Sequence, residues 1–586
     1  MSAAETVELP DAVTDEPRRG RSWVWPAILV GLFAAAFVLR IVGYKTGLPY
    51  VYNADENSHF VPRAIGMFGH SLNPDYFINP PAYTYVVHAL FAVKWGTNPA
   101  TIGGAFAADP TTAFALARAA SAFLGALAVS LTAIAGARLF ADRRVGVLAG
   151  ALLAVAFLPT HYSHFALNDA PTLAPLAAAL IGVAGIYRTG RTREYVLAGL
   201  GLGVAIATKY TAGIVLVTVI AAAFASPVAH ARVRNLALML GLMCAGFVAA
   251  NPYALLDHTA FREGLQKQTE TAGEDGGKLG LANTSGWTYY VGTFTWGLGW
   301  LPSLFALGGL VDLFARRRRL ALLLAPAPIL LFLYLGQQSR FFARWMLPIY
   351  PILCLLAAWG VIAAATWLAT RLKWRLAIPA LALSVLVVLQ GLVFSVHNDL
   401  VLAKADTRQV AREWMKTNIP SGRNIVVEPI APDQWAMDAG HPIFEDQGGT
   451  GSGNRWNKWR TSRSCFFNGK TITSGACPVV KIEDYERTTR PDLVSRYANG
   501  GFCWVVTGST QFGRAYADPK DVPFALKYYD ELKRQGEVVF RSSPYGKDSE
   551  SVPFSFDSSF NYYPLTYERP GPDIVIYRLH GGKCGA

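Results

Sequence analysis

Residues 23–42 read WVWPAILVGLFAAAFVLRIV, and this stretch decides the class of fold. At about 1.5 Å per residue, a helix over this run is long enough to cross the ~30 Å hydrocarbon core of a bilayer. The polar segment before it, residues 1–22, has no apolar periodicity, so we expect a disordered cytoplasmic tail rather than a cleaved signal peptide. The chain is therefore expected to be retained in a membrane.

Similar apolar runs recur over the first two thirds of the chain. Over the full 586 residues, 52% are hydrophobic. These runs predict a polytopic α-helical membrane protein with about eleven transmembrane helices. The expected spans are 23–43, 112–139, 144–160, 170–186, 194–208, 210–226, 233–250, 287–313, 320–336, 344–369 and 375–396. A shorter run at 81–95 is expected to lie along the membrane interface.

Basic residues explain much of the formal net charge of +13, and they lie mostly between the apolar runs. Every second loop is basic, including the run Arg316–Arg319, which we interpret as an orientation signal and not as a nucleic-acid patch. This pattern predicts a multi-pass protein of the inner (plasma) membrane with a cytoplasmic N-terminus. An odd number of spans then leaves residues 401–586 outside the cytoplasm.

Residues 401–586 differ in composition from the membrane region and predict a small extracytoplasmic α/β domain. We expect a helix at 406–417 and strands at 424–428, 503–507, 537–540 and 573–578. Cys465, Cys477, Cys503 and Cys584 permit two disulfides in an oxidising compartment, with the pairing open. The glycine-rich stretch Gly448–Trp459 predicts a flexible loop, and its Trp456 and Trp459 suit sugar stacking and core packing equally.

Charged residues near the apolar runs gather on the side opposite to the basic loops. The long first outer loop, 44–111, contains Asp55 and Glu56, and the later outer segments contain Asn168 with Asp169, Lys209, Arg340 and Arg344. Charges at membrane depth cost about 2.5–3.5 kcal/mol each on insertion scales and persist mainly where they pair or line a functional cavity. The sequence between residues 23 and 400 therefore predicts one substrate site on the outer face.

A sugar carried on a polyprenyl phosphate suits such a site, because its transfer needs a base and a cationic partner for the leaving phosphate. We expect Asp55 to be the base, with the adjacent Glu56 keeping its pKa near the working pH. Lys209, Arg340 and Arg344 are the candidate phosphate partners, with Arg63 as a further one. Direct attack by an acceptor hydroxyl predicts inversion at the anomeric carbon.

Supporting roles fall to neighbouring residues. Glu56 and Asp169 are expected to orient the acceptor or to hold a divalent cation, although no spacing requires a metal or another cofactor. Candidate contacts to the acceptor or the sugar are His59, Asn168 and Tyr83. Arg118 is expected to pair structurally with a carboxylate. His59, His161 and His164 lack the spacing of a metal site, and aromatic or polar packing is expected for at least two of them.

These residues resemble a known group of enzymes. The matching segments are Asp55-Glu56, Asn79-Pro80-Pro81, Asn168-Asp169-Ala170-Pro171, Ala205–Thr211 and Arg344–Pro351. The pattern is similar to the GT-C class of membrane glycosyltransferases, in particular the phospholipid-carrier-dependent group with the protein O-mannosyltransferases and the lipid A aminoarabinose transferases.

The resemblance covers roughly residues 23–400 and implies roles for particular positions. It implies a catalytic Asp in a large first outer loop, here Asp55, and a substrate- or metal-linked carboxylate at Glu56. Lys209 matches a recurrent Lys, and the Arg motif aligns with Arg340 or Arg344. The partners implied are a polyprenyl-phosphate-linked sugar donor, membrane lipid, and a glycan, glycolipid or protein acceptor.

Two other functions compete with this interpretation. A membrane transporter of a polar or anionic substrate also lines its pathway with charges, but here the charges gather at one edge without a ladder through the spans. A membrane-anchored binding or scaffold protein would leave the acidic pair and Lys209 unexplained.

Overall fold

The computed structural model describes residues 23–585, apart from 229–230, 274–278, 281–284, 437–454, 474, 547–548, 550, 553 and 555–563. The predicted tail at 1–22 and most of the glycine-rich stretch Gly448–Trp459 lie outside the described residues. The described chain has two parts, a helical bundle up to residue 402 and a smaller domain built around a mixed sheet.

In the residues that the structure describes, the bundle contains twenty α-helices. They are α1 Val24–Ile41, α2 Ala54–Ser58, α3 Phe60–Gly66, α4 Ala82–Trp95, α5 Pro99–Ala108, α6 Thr111–Phe140, α7 Arg143–Val155, α8 Phe157–Tyr162, α9 Leu173–Thr189, α10 Thr192–Thr208, α11 Leu216–Ala225, α12 Arg232–Ala250, α13 Tyr253–Leu256, α14 His258–Gly273, α15 Gly286–Phe294, α16 Trp300–Arg316, α17 Arg318–Leu324, α18 Pro326–Gly336, α19 Tyr350–Leu372 and α20 Ala377–Leu402.

Among the described residues, 7 helical segments are long and apolar enough to cross a membrane. They are Val24–Ile41, Thr111–Phe140, Arg232–Ala250, Gly286–Arg316, Arg318–Gly336, Ala343–Leu372 and Ala377–Asn418. The predicted spans at 170–186 and 210–226 correspond to the shorter apolar segments Leu173–Thr189 and Tyr210–Ala225. The predicted polytopic helical fold is confirmed, and the interfacial run at 81–95 forms α4.

Two of the predicted spans are shorter or broken. The predicted span 144–160 is interrupted at Ala156, where the backbone turns between α7 and α8. The predicted span 194–208 is the 17-residue α10. Helix α10 packs closely on α12 because a Cβ at Gly203 would lie 2.2 Å from the carbonyl oxygen of Met243. Small residues of this kind let membrane helices approach at backbone distance.

The smaller domain begins with helix α21, Thr407–Asn418, which is capped by Asp406 and corresponds to the helix expected at 406–417. Its strands are β1 Asn424–Val427, β2 Asn457–Lys458, β3 Phe466–Phe467, β4 Lys470–Thr471, β5 Trp504–Gly508, β6 Gly536–Ser542 and β7 Ile574–Leu579, and its further helices are α22 Asp492–Gly500, α23 Ser509–Ala517 and α24 Pro523–Gln535. The sheet order is β2-β1-β5-β7-β6, in which β1 runs parallel to β2 and β5 and the other pairs are antiparallel. All four predicted strands are present.

The cysteines of this domain form disulfides, and Trp456 and Trp459 pack against its other residues. The disulfides join Cys465 to Cys477 and Cys503 to Cys584, which resolves the pairing that the sequence left open. Trp456 is buried and donates from Nε1 to the carbonyl of Ile419 at 3.1 Å. The ring of Trp459 packs edge-on against the rings of Tyr497 and Phe502, with centroids 5.0 Å away in each case. Both tryptophans therefore pack in the domain rather than presenting a face to a sugar.

Helix α21 contacts the beginning of the loop 44–111. The guanidinium of Arg408 lies over the ring of Tyr52 at 3.8 Å, and Arg412 lies over the ring of Tyr50 at 5.2 Å. Gln409 donates from Nε2 to the carbonyl of Leu48 at 2.9 Å. Cation–π contacts of this kind contribute about 0.5–2 kcal/mol each, depending on desolvation. The smaller domain therefore anchors the segment that leads directly to Asp55.

Candidate active site

Asp55 stands at the start of α2, where Asn53 caps the helix. The Asn53 Oδ1 accepts hydrogen bonds from the backbone N–H of Asp55 at 3.1 Å and of Glu56 at 3.3 Å. The Asp55 carboxylate forms an ion pair with Arg344 and lies 3.6 Å from His59 Nε2. Its side chain keeps 35% of its surface exposed.

The pKa of Asp55 is shifted in the direction opposite to the prediction. Burial alone would raise it, but the charge of Arg344 and the hydrogen bond from His59 outweigh burial and hold the pKa of Asp55 well below its ordinary value. The expectation that a neighbouring carboxylate keeps this pKa near the working pH is wrong. The reason is geometric, because Glu56 points away from Asp55 and a guanidinium takes the place next to it.

Glu56 is buried in an ion pair with Arg118. Arg118 donates to both carboxylate oxygens, from Nε at 2.5 Å and from Nη2 at 2.7 Å. The same Glu56 Oε1 accepts the backbone N–H of Ala166 at 2.7 Å, and Arg118 Nη1 donates to the carbonyls of Tyr44 and Thr46 at 2.8 Å. The expected structural pairing of Arg118 is thereby found. Glu56 ties the first outer loop, α6 and the segment after α8 together, and the structure does not bring it to the Asp55 carboxylate.

Asp169 and Lys209 form a second buried ion pair beside the first. Helix α10 ends at Thr208, and Lys209 takes an extended conformation that turns the chain towards the 3-10 helix Tyr210–Val215. Asn168 donates from Nδ2 to the carbonyl of Thr208 at 2.6 Å, which joins the Asp169 segment to this helix end. The outer segment of Asp169 is thus held at the break where Lys209 emerges.

The two ion pairs form one cluster of alternating charge. Arg344 comes from the 3-10 helix Ala343–Ile349 and interacts electrostatically with both Asp55 and Asp169. Lys209 in turn interacts with Asp169, Arg344 and Asp55. Two carboxylates and two cations from four separate segments therefore meet, as the sequence predicted. We call Asp55, Asp169, Lys209 and Arg344 the charge cluster.

Arg340 does not take part in the charge cluster. Its Nη2 lies 3.2 Å from Glu483 Oε1, on the 3-10 helix Ile482–Thr488 of the smaller domain. Of the two arginines that the sequence left open, Arg344 is the one beside Asp55. Arg340 instead joins the two domains.

Two of the remaining candidates, His59 and Arg63, contact Tyr76, which the sequence reasoning missed. The His59 ring stacks on the Tyr76 ring at 4.9 Å, and the guanidinium of Arg63 lies over it at 5.3 Å. Burial raises the pKa of Tyr76 to about 12, so the phenol stays protonated. Tyr83 is fully buried and donates its hydroxyl to the carbonyl of Ala117 at 2.7 Å, which occupies the group that was expected to contact a sugar.

An apolar cavity of about 510 Å³ opens beside the charge cluster. It lies among α4, α6, α10, α12 and the segments next to them, and its walls include Tyr83, Leu124, Val204 and Tyr253. Thr208 and Pro171 also line it, and these residues lie next to Lys209 and close to Asp169 in the chain. The cavity wall thus includes direct chain neighbours of the segments that carry Asp169 and Lys209, while the four residues of the charge cluster are not among the residues that line it. No single stretch of sequence indicates this cavity, because its walls come from helices that are far apart in the chain.

The histidines of the next outer segment belong to a separate buried group. His161 Nδ1 lies 2.8 Å from Asn398 Oδ1, and its ring stacks on Phe157 at 5.4 Å. His164 Nε2 lies 3.2 Å from an oxygen of Asp399. The expected packing role is found for both. Within the described part of the chain, no group of three or more His, Cys, Asp or Glu side chains is placed to hold a metal ion.

Sequence comparison points to one family of enzymes. A family model described as dolichyl-phosphate-mannose-protein mannosyltransferase matches residues 82–248. This stretch runs from α4 to α12 and contains Asp169 and Lys209. A comparison with curated proteins finds no match.

Solved structures were compared as well. The oligosaccharyltransferase from Archaeoglobus fulgidus in its apo form is 15% identical, with a TM-score of 0.50 over 92% of this chain and 75% of that chain. ArnT from Cupriavidus metallidurans bound to undecaprenyl phosphate is 14% identical, with a TM-score of 0.45 over 96% and 99%. The protein O-mannosyltransferase complex from S. cerevisiae bound to the sugar donor is 18% identical, with a TM-score of 0.32 over 41% and 34%.

At these identities the likeness to the archaeal oligosaccharyltransferase is a likeness of fold. The comparisons give the transporter alternative no support. The family-model match and the shared fold together support a polytopic membrane enzyme of the GT-C type, a glycosyltransferase similar to the protein O-mannosyltransferases.

Proposed function

We propose that the protein transfers a sugar from a polyprenyl-phosphate donor to an acceptor hydroxyl at the outer face of the membrane, with inversion at the anomeric carbon. The observation that carries this proposal is the charge cluster, together with an apolar cavity whose wall includes Thr208 and Pro171, close in the chain to Lys209 and Asp169. Such a cavity suits the prenyl chain of the donor, and the two cations of the cluster suit the phosphate. The description of the matching family model also names a sugar on a lipid phosphate as donor.

In the proposed reaction the acceptor hydroxyl attacks the anomeric carbon while the bond from that carbon to the phosphate oxygen breaks. The hydroxyl proton passes to Asp55, and the bonding electrons leave with the lipid phosphate. Lys209 and Arg344 stabilise the charge that develops on the phosphate. Asp169 keeps Lys209 in place at the end of α10. The identity of the sugar and of the acceptor is left open.

Donor binding raises the pKa of Asp55, the proposed base. Without donor, Arg344 holds the pKa of Asp55 well below its ordinary value, which makes the carboxylate a weak proton acceptor. A donor phosphate beside Arg344 brings a negative charge close to Asp55, and a like charge raises the pKa of a carboxylate. Asp55 therefore becomes a stronger base when the donor is present. This coupling favours proton transfer in the loaded site.

Arg344→Met should shift the pH dependence of donor turnover. Removing the guanidinium raises the pKa of Asp55, because an opposite charge nearby lowers a carboxylate pKa by about 1 to 3 units. Activity requires the ionised Asp55 and falls as the pH falls through that pKa. The acidic limb of the pH–rate profile is expected to move upwards by about 1 unit or more. The measurement is donor turnover by purified protein between about pH 4 and pH 9, where the wild type should show no acidic limb, because the pKa of its Asp55 lies well below the ordinary value, and Arg344→Met should show one.

Arg340→Met is the matched control, because it removes a nearby guanidinium that pairs with Glu483 instead of Asp55. The acidic limb of the pH–rate profile of Arg340→Met should coincide with that of the wild type. An unshifted limb in Arg344→Met, or equal shifts in both variants, would argue against Asp55 as the base.

If Arg340→Met weakens the packing of the smaller domain, the rate of donor turnover falls, but the acidic limb of the pH–rate profile stays at the same pH. The position of the limb therefore separates titration of Asp55 from a general loss of activity.

A further inference from the structure

A second groove lies between α16 and α19, where its lining residues run from Leu301 to Arg316 and from Gly360 to Trp367. It has a volume of about 510 Å³, and its floor and walls include Gly308, Asp312, Ala363, Ala364 and Trp367. None of these residues belongs to the charge cluster or to the apolar cavity beside it. The reaction proposed above therefore leaves this groove without a role.

The groove exists because two glycines bring the helices together on one side. A Cβ at Gly309 would lie 2.2 Å from the carbonyl oxygen of Leu356, and a Cβ at Gly360 would lie 2.2 Å from that of Phe305. The backbones are thus in direct contact along this line. Beside the contact, Gly308 has no atom within 4 Å of an added Cβ, so the space in front of it is open.

The groove ends in a strongly basic turn. Arg316 lines its end, and Arg316–Arg319 are all exposed between α16 and α17. Arg316 Nε lies 2.8 Å from Asp312 Oδ1, and Trp359 donates from Nε1 to the other oxygen of Asp312 at 3.0 Å. The one carboxylate in the groove is therefore already satisfied.

Excess positive charge remains at this end. Arg317 lies over the ring of Trp359 at 4.7 Å, and within the described part of the chain neither Arg318 nor Arg319 has an acidic partner. The acidic partner recorded for this turn is Asp312, and its negative charge offsets one of the four arginines. A ligand with a negative head is attracted here.

We propose that this groove binds one anionic phospholipid, with an acyl chain between α16 and α19 and the phosphate head against Arg316–Arg319. The largely apolar walls of the groove suit a hydrocarbon chain, and the arginine turn complements a negative head group. Basic pockets between membrane helices bind anionic lipid heads in this way, with about 1 kcal/mol for each basic residue near the surface. A zwitterionic lipid would fill the groove but gain less from the arginines.

Native mass spectrometry of the purified full-length chain tests the proposal, with phosphatidylglycerol and phosphatidylcholine added separately as probes. We expect the wild type to bind one phosphatidylglycerol much more tightly than phosphatidylcholine. Arg318→Gln with Arg319→Gln should weaken phosphatidylglycerol binding about thirtyfold, as two surface arginines predict. Arg188→Gln with Arg191→Gln, in a different basic turn, should leave this binding unchanged.

Gly308→Leu tests whether lipid binding depends on the groove or only on the positive charge of the surface. The new side chain fills open space without a clash and should displace the tightly bound lipid while all arginines stay in place. Gly31→Leu is the matched control, because Gly31 also lies in a membrane helix with no atom within 4 Å of an added Cβ.

Three results would overturn the proposal. They are equal binding of both lipids to the wild type, unchanged phosphatidylglycerol binding in Gly308→Leu, and loss of a dimer mass in Gly308→Leu. The last result would show that a second copy of the chain covers the groove.

Discussion

Asp55→Asn is expected to lower the rate of sugar transfer about 10²- to 10⁴-fold, the range in which general-base catalysis contributes. The substitution keeps the size of the side chain and the Asn53 cap of α2, but it removes the proton acceptor. It also leaves Arg344 without its carboxylate partner, so donor binding should persist or tighten. The expected result is a loss in kcat with little change in the KM for the donor, measured as release of lipid phosphate.

Asp75→Asn is the matched control for this prediction. Asp75 lies in the same outer loop, is exposed, and has a backbone φ of +49°, a conformation that Asn tolerates well. Its turnover should equal that of the wild type. Turnover in Asp55→Asn within about tenfold of the wild type would remove Asp55 as the base, because so small a loss lies below the general-base range.

Arg118→Met is expected to destabilise the protein by about 3–5 kcal/mol, since removal of one partner leaves Glu56 charged and buried. Both side chains of this pair are almost fully buried, with 1% and 0% of their surfaces exposed. The variant also loses the hydrogen bonds to Tyr44 and Thr46, which hold the chain leading to Asp55. Thermal unfolding of the purified protein in detergent measures the effect.

An exposed ion pair provides the comparison. Arg144 and Asp142 pair at 2.8 Å with 59% and 22% of their side chains exposed, so Arg144→Met should cost at most about 1 kcal/mol. Combining Arg118→Met with Glu56→Gln removes the stranded charge and should recover part of the stability. Equal effects of Arg118→Met and Arg144→Met would contradict the structural role of the Glu56 ion pair.

The membrane part of the fold could be predicted from the sequence because its signal is local. A run such as Val24–Ile41 is long and apolar enough to indicate a span by itself. The break at Ala156 could not be predicted in this way, because apolar residues continue through it. What fixes this break is Arg40, which is buried and donates to the carbonyls of Leu153 and Ala154 at 3.0 and 2.9 Å.

The membership of the charge cluster was partly predictable, but its pairing was not. Charged residues at the outer ends of apolar runs identified Asp55, Asp169, Lys209 and Arg344. The partner of Asp55 is 289 residues away along the chain, and no spacing in the sequence indicates it. Sequence adjacency suggested Glu56 instead. Neighbouring residues on a helix point about 100° apart, so one faces the cluster and the other the core.

Buried polar residues outside the cluster show why charge alone does not define a site. His164 and Asp399 are buried in the bundle, with His164 Nε2 at 3.2 Å from Asp399 Oδ1. A buried charge in a membrane protein is a default candidate for function, yet this pair has no cavity beside it among those described and joins α20 to the segment after α8. The charge cluster differs because Thr208 and Pro171, close in the chain to Lys209 and Asp169, line an apolar cavity.

The most direct test of the proposed reaction is turnover of radiolabelled polyprenyl-phosphate sugars by the wild type and by Lys209→Met with Asp169→Asn. The double substitution removes a buried ion pair without leaving a buried charge. The wild type should release lipid phosphate from at least one donor and form a product of inverted anomeric configuration. The variant should need at least about tenfold more donor to reach half of its maximal rate, because hydrogen bonds to charged groups contribute about 1.5–3 kcal/mol. Equal turnover by both proteins, or a product of retained configuration, would contradict donor binding and transfer at this cluster.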